Sequence, residues 1–131
     1  MKKTEKRARG DHGENAAVRF LRFRFYRILD RNFRAGGAEI DIVAKKGKTL
    51  VFVEVKTRRV EPDEADRLTR PAAAVTREKQ EHIVRAAKIR LAERPMPDCS
   101  VRFDVIEVYL DPRKDRDRVI RIEHVKAAFT A

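Results

Sequence analysis

Glu39-Ile40-Asp41-Ile42-Val43-Ala44-Lys45-Lys46-Gly47-Lys48-Thr49-Leu50-Val51-Phe52-Val53-Glu54-Val55-Lys56 decides the fold. It reads as two short apolar strands joined by a polar run, in which Gly47 can supply the positive φ of a tight turn. Strands this rich in Ile, Val and Phe are buried on at least one face, where charges are costly unless paired. Side chains alternate along a strand, so Glu39 and Asp41 share a face, as do Glu54 and Lys56. A two-residue turn at Lys46-Gly47 would oppose Glu39 to Glu54. A four-residue loop would oppose Asp41 to Glu54 and Glu39 to Lys56. Either register sets odd positions against even ones and brings all four polar side chains to one face, whereas a slip of one residue would scatter them. Clustered carboxylates beside a lysine suit a divalent cation and an anionic substrate.

Working outward, Val51, Val53 and Val55 take one face of the second strand, while Leu50 and Phe52 precede Glu54 and Lys56 on the other. A strand apolar on both faces is central, and its polar end marks a cleft. Gly36-Gly37 is a turn before the strand at about 38–44, and the partner strand runs over about 49–57. A helix is expected from Gly13 or Glu14 to about Phe23, then a short strand over Phe25–Leu29 that Asp30-Arg31-Asn32 interrupts. Residues 58–75 lack either periodicity and read as a long loop of the kind that often carries function. Thr76 is the N-cap expected for a helix that buries Ile83, Ala86, Ala87 and Leu91 and ends near Glu93, ahead of Pro95 and Pro97. Strands follow over Val101–Leu110 and Arg118–Glu123, and a short helix closes the chain. This order predicts an α/β domain with helices packed on a central mixed sheet.

The 131 residues suit one domain that buries roughly two-thirds of its unfolded surface. With 32 Lys or Arg against 21 Asp or Glu, the net charge is +11, a field that attracts polyanions, nucleic acid first among them. The first 34 residues hold 11 of the basic residues and four of the acidic ones. Arg22, Arg24, Arg31, Arg34, Arg58 and Arg59 are candidate phosphate contacts flanking the cleft. The single cysteine, Cys99, excludes an internal disulfide and a Cys-rich zinc site. No signal-like or membrane-spanning run is apparent, and a cytoplasmic location is expected. His12, His82 and His124 fit no ligand pattern, and Asp104 reads as structural.

Hydrolysis of a phosphodiester needs charge neutralisation at phosphorus, an activated water and a stabilised leaving oxygen. Mg²⁺ (or Mn²⁺) can serve all three, with hard oxygen ligands and only one or two carboxylates. Asp41 and Glu54 supply these, the Val55 carbonyl is a further oxygen, and Lys56 is a compact cation for the phosphate or the attacking water. The bland alternative is a salt bridge at a sheet edge. Glu39 reads equally as support for such a site or as an ion-pair partner.

Further motifs accompany these residues. They are Gly13-Glu14 with Ala16-Ala17, Tyr26-Arg27-Ile28-Leu29-Asp30-Arg31-Asn32-Phe33-Arg34, Glu39-Ile40-Asp41-Ile42-Val43-Ala44, Val51-Phe52-Val53-Glu54-Val55-Lys56-Thr57-Arg58 and Arg102-Phe103-Asp104-Val105. In this order they resemble the YraN family of endonuclease-like bacterial proteins, over roughly residues 13–109. That family is similar to archaeal Holliday-junction resolvases and to PD-(D/E)XK nucleases. The resemblance implies a restriction-endonuclease-like fold and a single nuclease-like domain over 13–131, while residues 1–12, basic and polar, are expected to form a mobile segment. It implies metal binding by Asp41, Glu54 and Glu14, a catalytic Lys56, and a polar site contribution from Lys79-Gln80. It further implies Mg²⁺-dependent cleavage of DNA, branched structures included, by a homodimer. The alternatives are a nucleic-acid-binding module that does not cut, or an accessory subunit of a repair or processing complex.

Overall fold

The computed structural model describes residues 3–60, 75–112 and 118–131. Helix α1 (Lys3–Phe23) leads into strands β1 (Arg27–Ala35), β2 (Ala38–Lys46) and β3 (Thr49–Arg59). Helix α2 (Arg77–Glu93) then precedes β4 (Ser100–Asp111) and β5 (Arg118–Phe129). The strands form one sheet in the order β1-β2-β3-β4-β5. Every neighbouring pair is antiparallel except β3 and β4, which are parallel because the chain returns through α2 between them.

The expected hairpin around Gly47 forms, and the expected turn at Gly36-Gly37 closes a second one between β1 and β2. Ala35 pairs with Ala38 across Gly36 (φ +59°) and Gly37 (φ +75°), the pair of positive values that a type I′ turn requires. Lys46 pairs with Thr49, so the β2–β3 turn is Gly47-Lys48 rather than Lys46-Gly47 or four residues. Gly47 takes the first central position with φ +58°. The register is nevertheless the one expected of the longer loop, in line with Asp41 opposite Glu54, as Ile42 opposite Val53 and Val43 opposite Phe52 show.

The two faces of the sheet carry separate cores. Ile42, Ala44, Val51, Val53, Ile106 and Val108 pack against Ala17 and Leu21 of α1. Val43, Leu50, Phe52 and Val105 pack against Ile83, Ala86 and Ala87 of α2. Burial of a residue such as Leu50 or Phe52 contributes about 2 kcal/mol, and β3 is secured from both sides.

Four expectations need correction. Helix α1 begins at Lys3, ten residues before Gly13. Strand β1 does not stop at Leu29 but continues through Asp30-Arg31-Asn32 to Ala35. It lies at a sheet edge, where charges keep access to solvent, and it absorbs the polar run with a bulge between Ile28 and Asp30 and a left-handed Asn32 (φ +53°). Asp30 reaches α2, accepting from Arg90 Nε at 2.6 Å and Arg94 Nη2 at 3.1 Å, so that Arg90 is buried beside Ile83, Ala86 and Ala87 while Leu91, expected among them, is only half-buried. The terminal segment is not a helix but an extension of β5 to Phe129, which stacks on Phe103 at 5.2 Å. The expected loop at 58–75 and the turn at 111–117 lie mostly outside the described residues.

Helix α1 ends in a Schellman motif. Tyr26 N donates to Leu21 O and Phe25 N to Arg22 O, both at 3.0 Å, while Leu21 and Tyr26 pack in the core. The left-handed position of that motif, where glycine is usual, holds Phe25 at φ +70°.

Candidate active site

The site begins where β2 and β3 stop pairing. The ladder's last pair is Ile42 with Val53. Beyond it the Asp41 side chain takes over, its Oδ2 accepting the Val55 N–H at 2.8 Å. Asp41 is thereby held against the Glu54 carboxyl, itself only 6% exposed. Burial, followed by the hydrogen bond and the charge of Glu54, pushes the Asp41 pKa up to about 8; the Val55 N–H and the Lys79 charge oppose this less strongly. Two partly buried carboxyls therefore face each other with too little positive charge around them.

Helix α2 supplies what charge there is. Thr76 caps it, Oγ1 accepting the Lys79 N–H at 3.1 Å, and Gln80 Nε2 donates to Val75 O. This first turn carries Lys79 Nζ to 3.5 Å from Glu54 Oε2, an ion-pair contact. Among the described residues that buried oxygen has no hydrogen-bond partner.

Helix α1 brings Glu14 to the same end. The helix passes close over β3 because residue 13 is glycine: a Cβ there would lie 1.9 Å from Thr57 Oγ1. Glu14 is 7% exposed and accepts from Arg31 Nε at 3.1 Å and Asn32 Nδ2 at 3.2 Å. Its pKa is raised, chiefly by burial; the Arg31 bond opposes the shift and the Asp41 charge adds to it. Glu14 thus stands within electrostatic reach of Asp41, but its carboxylate is already engaged.

Among the described residues no three His, Cys, Asp or Glu side chains converge as a ready-made cage. The donors that fit a divalent cation are fewer. Asp41 and Glu54 are hard oxygen ligands, Mg²⁺ needs only one or two carboxylates, and a cation would offset both the burial and the Glu54 repulsion that raise Asp41. The Glu54 oxygen that Lys79 approaches without a hydrogen bond adds to that fit.

Lys56 shares the face of Glu54 by alternation and lies opposite Glu107 in the parallel register of β3 and β4. Sequence reading missed Glu107, whose signal was a single carboxylate between Val105 and Tyr109 on an otherwise apolar strand face. Glu107 is 1% exposed and forms an ion pair with Arg58. Burial raises its pKa, against the Arg58 charge, a bond from Tyr109 and the Lys56 charge.

The basic candidates separate into committed and exposed groups. Arg31 binds Glu14 and Asn15, and Arg58 binds Glu107. Arg59 donates to Pro112 O, and Arg34 lies 3.7 Å from Glu39, which makes Glu39 an arginine's partner on the β1–β2 hairpin. Arg22 and Arg24 are exposed at the end of α1. Asp104 is structural, as expected, bound by Arg102, His124 Nε2 and the Ala127 N–H. Among the described residues no helix is long and apolar enough to cross a membrane.

Comparison with known proteins yields a family match over residues 13–108, to a group described as an uncharacterised protein family, UPF0102. A UPF0102 protein of Caldicellulosiruptor saccharolyticus is 43% identical over 124 residues, covering 95% of this chain and 98% of the relative. One from Geobacter sulfurreducens is 47% identical over 121 residues, covering 92% and 87%. One from Chlorobium phaeobacteroides is 44% identical over 121 residues, with 92% of each chain covered.

Proposed function

The chain belongs to the UPF0102 family, and from that premise we propose that it is a metal-dependent endonuclease hydrolysing phosphodiester bonds in DNA, branched structures included. The observation that carries this reading is the pairing of Asp41 with Glu54 at the split between β2 and β3, under-neutralised and two residues before Lys56 on β3. We assign the domain to the restriction-endonuclease-like, PD-(D/E)XK fold. Its support is the mixed sheet with Asp41 on β2, Glu54-Val55-Lys56 on central β3, and Glu14 on the preceding helix.

Asp41 and Glu54 would hold Mg²⁺ or Mn²⁺, with the Val55 carbonyl as a further oxygen; when bound, the ion supplies charge neutralisation and a more acidic water. The Val55 N–H fixes the Asp41 carboxylate in place. Glu107 lies opposite Lys56 in the parallel register, where its carboxyl would offset the Lys56 charge as well as that of its partner Arg58. Lys56 then presents a point charge to the phosphate. Lys79 offsets the negative charge of Glu54 from the helix side. Glu14 orients Arg31 and Asn32 at the rim.

The test is incubation with labelled duplex, single-stranded and four-way-junction DNA in Mg²⁺, Mn²⁺ or EDTA, beside Asp41→Asn. Metal-dependent cutting lost in the variant supports the reading; cutting that survives Asp41→Asn in EDTA sinks it. The commitment of Glu14 to Arg31 and Asn32 favours a second reading, a nucleic-acid clamp or accessory subunit that does not cut. Binding without cleavage in every metal, unaltered by Lys56→Met, would select it.

A further inference from the structure

The end of α1 exposes what a folded domain ordinarily hides. Phe23 is 83% and Phe25 84% exposed, while Leu21 and Tyr26 beside them are buried. Phe25 also occupies the left-handed position of the Schellman motif, at φ +70°. A bulky side chain is a poor choice there on two counts, since glycine relieves the backbone and a polar residue relieves the exposure. Strain of this kind, held in place by the Leu21–Tyr26 contact, is found where a side chain must be displayed.

The surroundings identify what it is displayed to. Arg19, Arg22, Arg24 and Arg27 are all exposed, and no acidic residue occurs between Asn15 and Leu29. Rings and guanidinium groups alternate through Arg22-Phe23-Arg24-Phe25. The Arg24 guanidinium already lies over the Phe20 ring, 3.6 Å from its centroid. A membrane-surface helix segregates its apolar and cationic faces, and this interleaved pattern does not. Aromatic faces among phosphate-binding cations are instead the chemistry of single-stranded nucleic acid, whose bases stack while its backbone is neutralised.

We propose that Phe23 and Phe25, with Arg22, Arg24 and Arg27, form a stacking platform for unpaired nucleobases. The platform lies about 14 Å along the helix axis from Glu14, far enough to hold a nucleotide outside the reacting phosphate. It rests on the nucleic-acid part of the function proposed above and narrows the substrate class to strands with unpaired bases.

The experiment measures binding in EDTA, so no cleavage is required. Full-length protein and the double variant Phe23→Ala/Phe25→Gly are titrated with a single-stranded oligonucleotide carrying 2-aminopurine and with an abasic oligonucleotide of equal length. Glycine suits the position of Phe25, so the variant's thermal midpoint is expected to be unchanged or raised. Wild-type protein should change the 2-aminopurine emission on binding and prefer the base-carrying strand. The variant should lose between about tenfold and a hundredfold in affinity for that strand. Its affinity for the abasic strand and its salt slope should be unchanged, because the arginines remain. Equal wild-type affinity for both strands overturns the inference. So does a dimer that the substitutions dissociate, or binding to phosphatidylglycerol vesicles that they abolish. Base stacking without any cutting in metal would leave the platform standing and remove the nuclease, whereas cutting with binding unmoved by the substitutions would do the reverse.

Discussion

Asp104 and Asp41 are aspartates in the same sheet, and their surroundings drive them in opposite directions. Burial pushes the carboxyl of fully buried Asp104 up, but bonds from His124, Arg102 and the Ala127 N–H outweigh it, and its pKa lies below the usual range. Burial, then the bond and charge of the facing Glu54 carboxyl, push the Asp41 pKa up to about 8, and the one backbone N–H it receives does not offset them. A fold that can surround one aspartate with three partners leaves the other under-neutralised. That contrast separates a carboxylate that holds the structure together from the one proposed to hold a cation.

The largest expected effect comes from breaking the satisfied side. Asp104→Ala leaves Arg102 and His124 without their partner and should cost about 3–5 kcal/mol in urea unfolding. A loss below 1 kcal/mol would show that the network adds nothing to the fold. Gly13→Ala forces a methyl group onto Thr57 and should cost about 1–3 kcal/mol, with cleavage reduced further than folding because Glu14 and β3 shift together. Asp41→Asn should act the other way, removing repulsion against Glu54 and adding on the order of 1 kcal/mol at pH 8 while abolishing cleavage. Destabilisation in that variant would place Asp41 with Asp104.

The pH dependences sharpen the same contrast. The folded pKa of Asp104 is depressed, so its contribution is present above the unfolded value near 4 and is lost as the pH falls below it. The folded pKa of Asp41 is raised, so without a cation its contribution falls as the pH rises from about 4 to about 8. Mg²⁺ competes with that retained proton, and its stabilising shift in thermal midpoint should therefore be larger at pH 8 than at pH 6 and absent in Asp41→Asn. This is the smallest of the effects, read by differential scanning calorimetry.

Much of this was legible in the chain. The period-two pattern of β3 assigned Val51 and Val53 to one face and Phe52 and Glu54 to the other, and α1 and α2 cover those faces. Thr76 and Glu93 marked the bounds of α2 through capping and proline signals. Edge strands were harder to read. The polar run Asp30-Arg31-Asn32 looks like a turn, because local pattern cannot anticipate that Arg90, sixty residues away, will pair with Asp30. The end of β5 was read as a helix for a similar reason, since the Asp104 bond to the Ala127 N–H and the Phe103–Phe129 stack are both long-range.

Alternation and turn chemistry are local, so the sequence alone determined that Asp41, Glu54 and Lys56 share one face and that the domain is mixed α/β, while the structure selected between the two registers that allow it. Charge satisfaction depends on which distant groups meet. Only the tertiary structure decided that Arg31 and Arg58 are committed to Glu14 and Glu107, that Glu39 turns to Arg34, and that Asp104 is neutralised while Asp41 is not. Electrostatic energies depend on separation and burial, and neither is defined until the sheet and its two helices have packed.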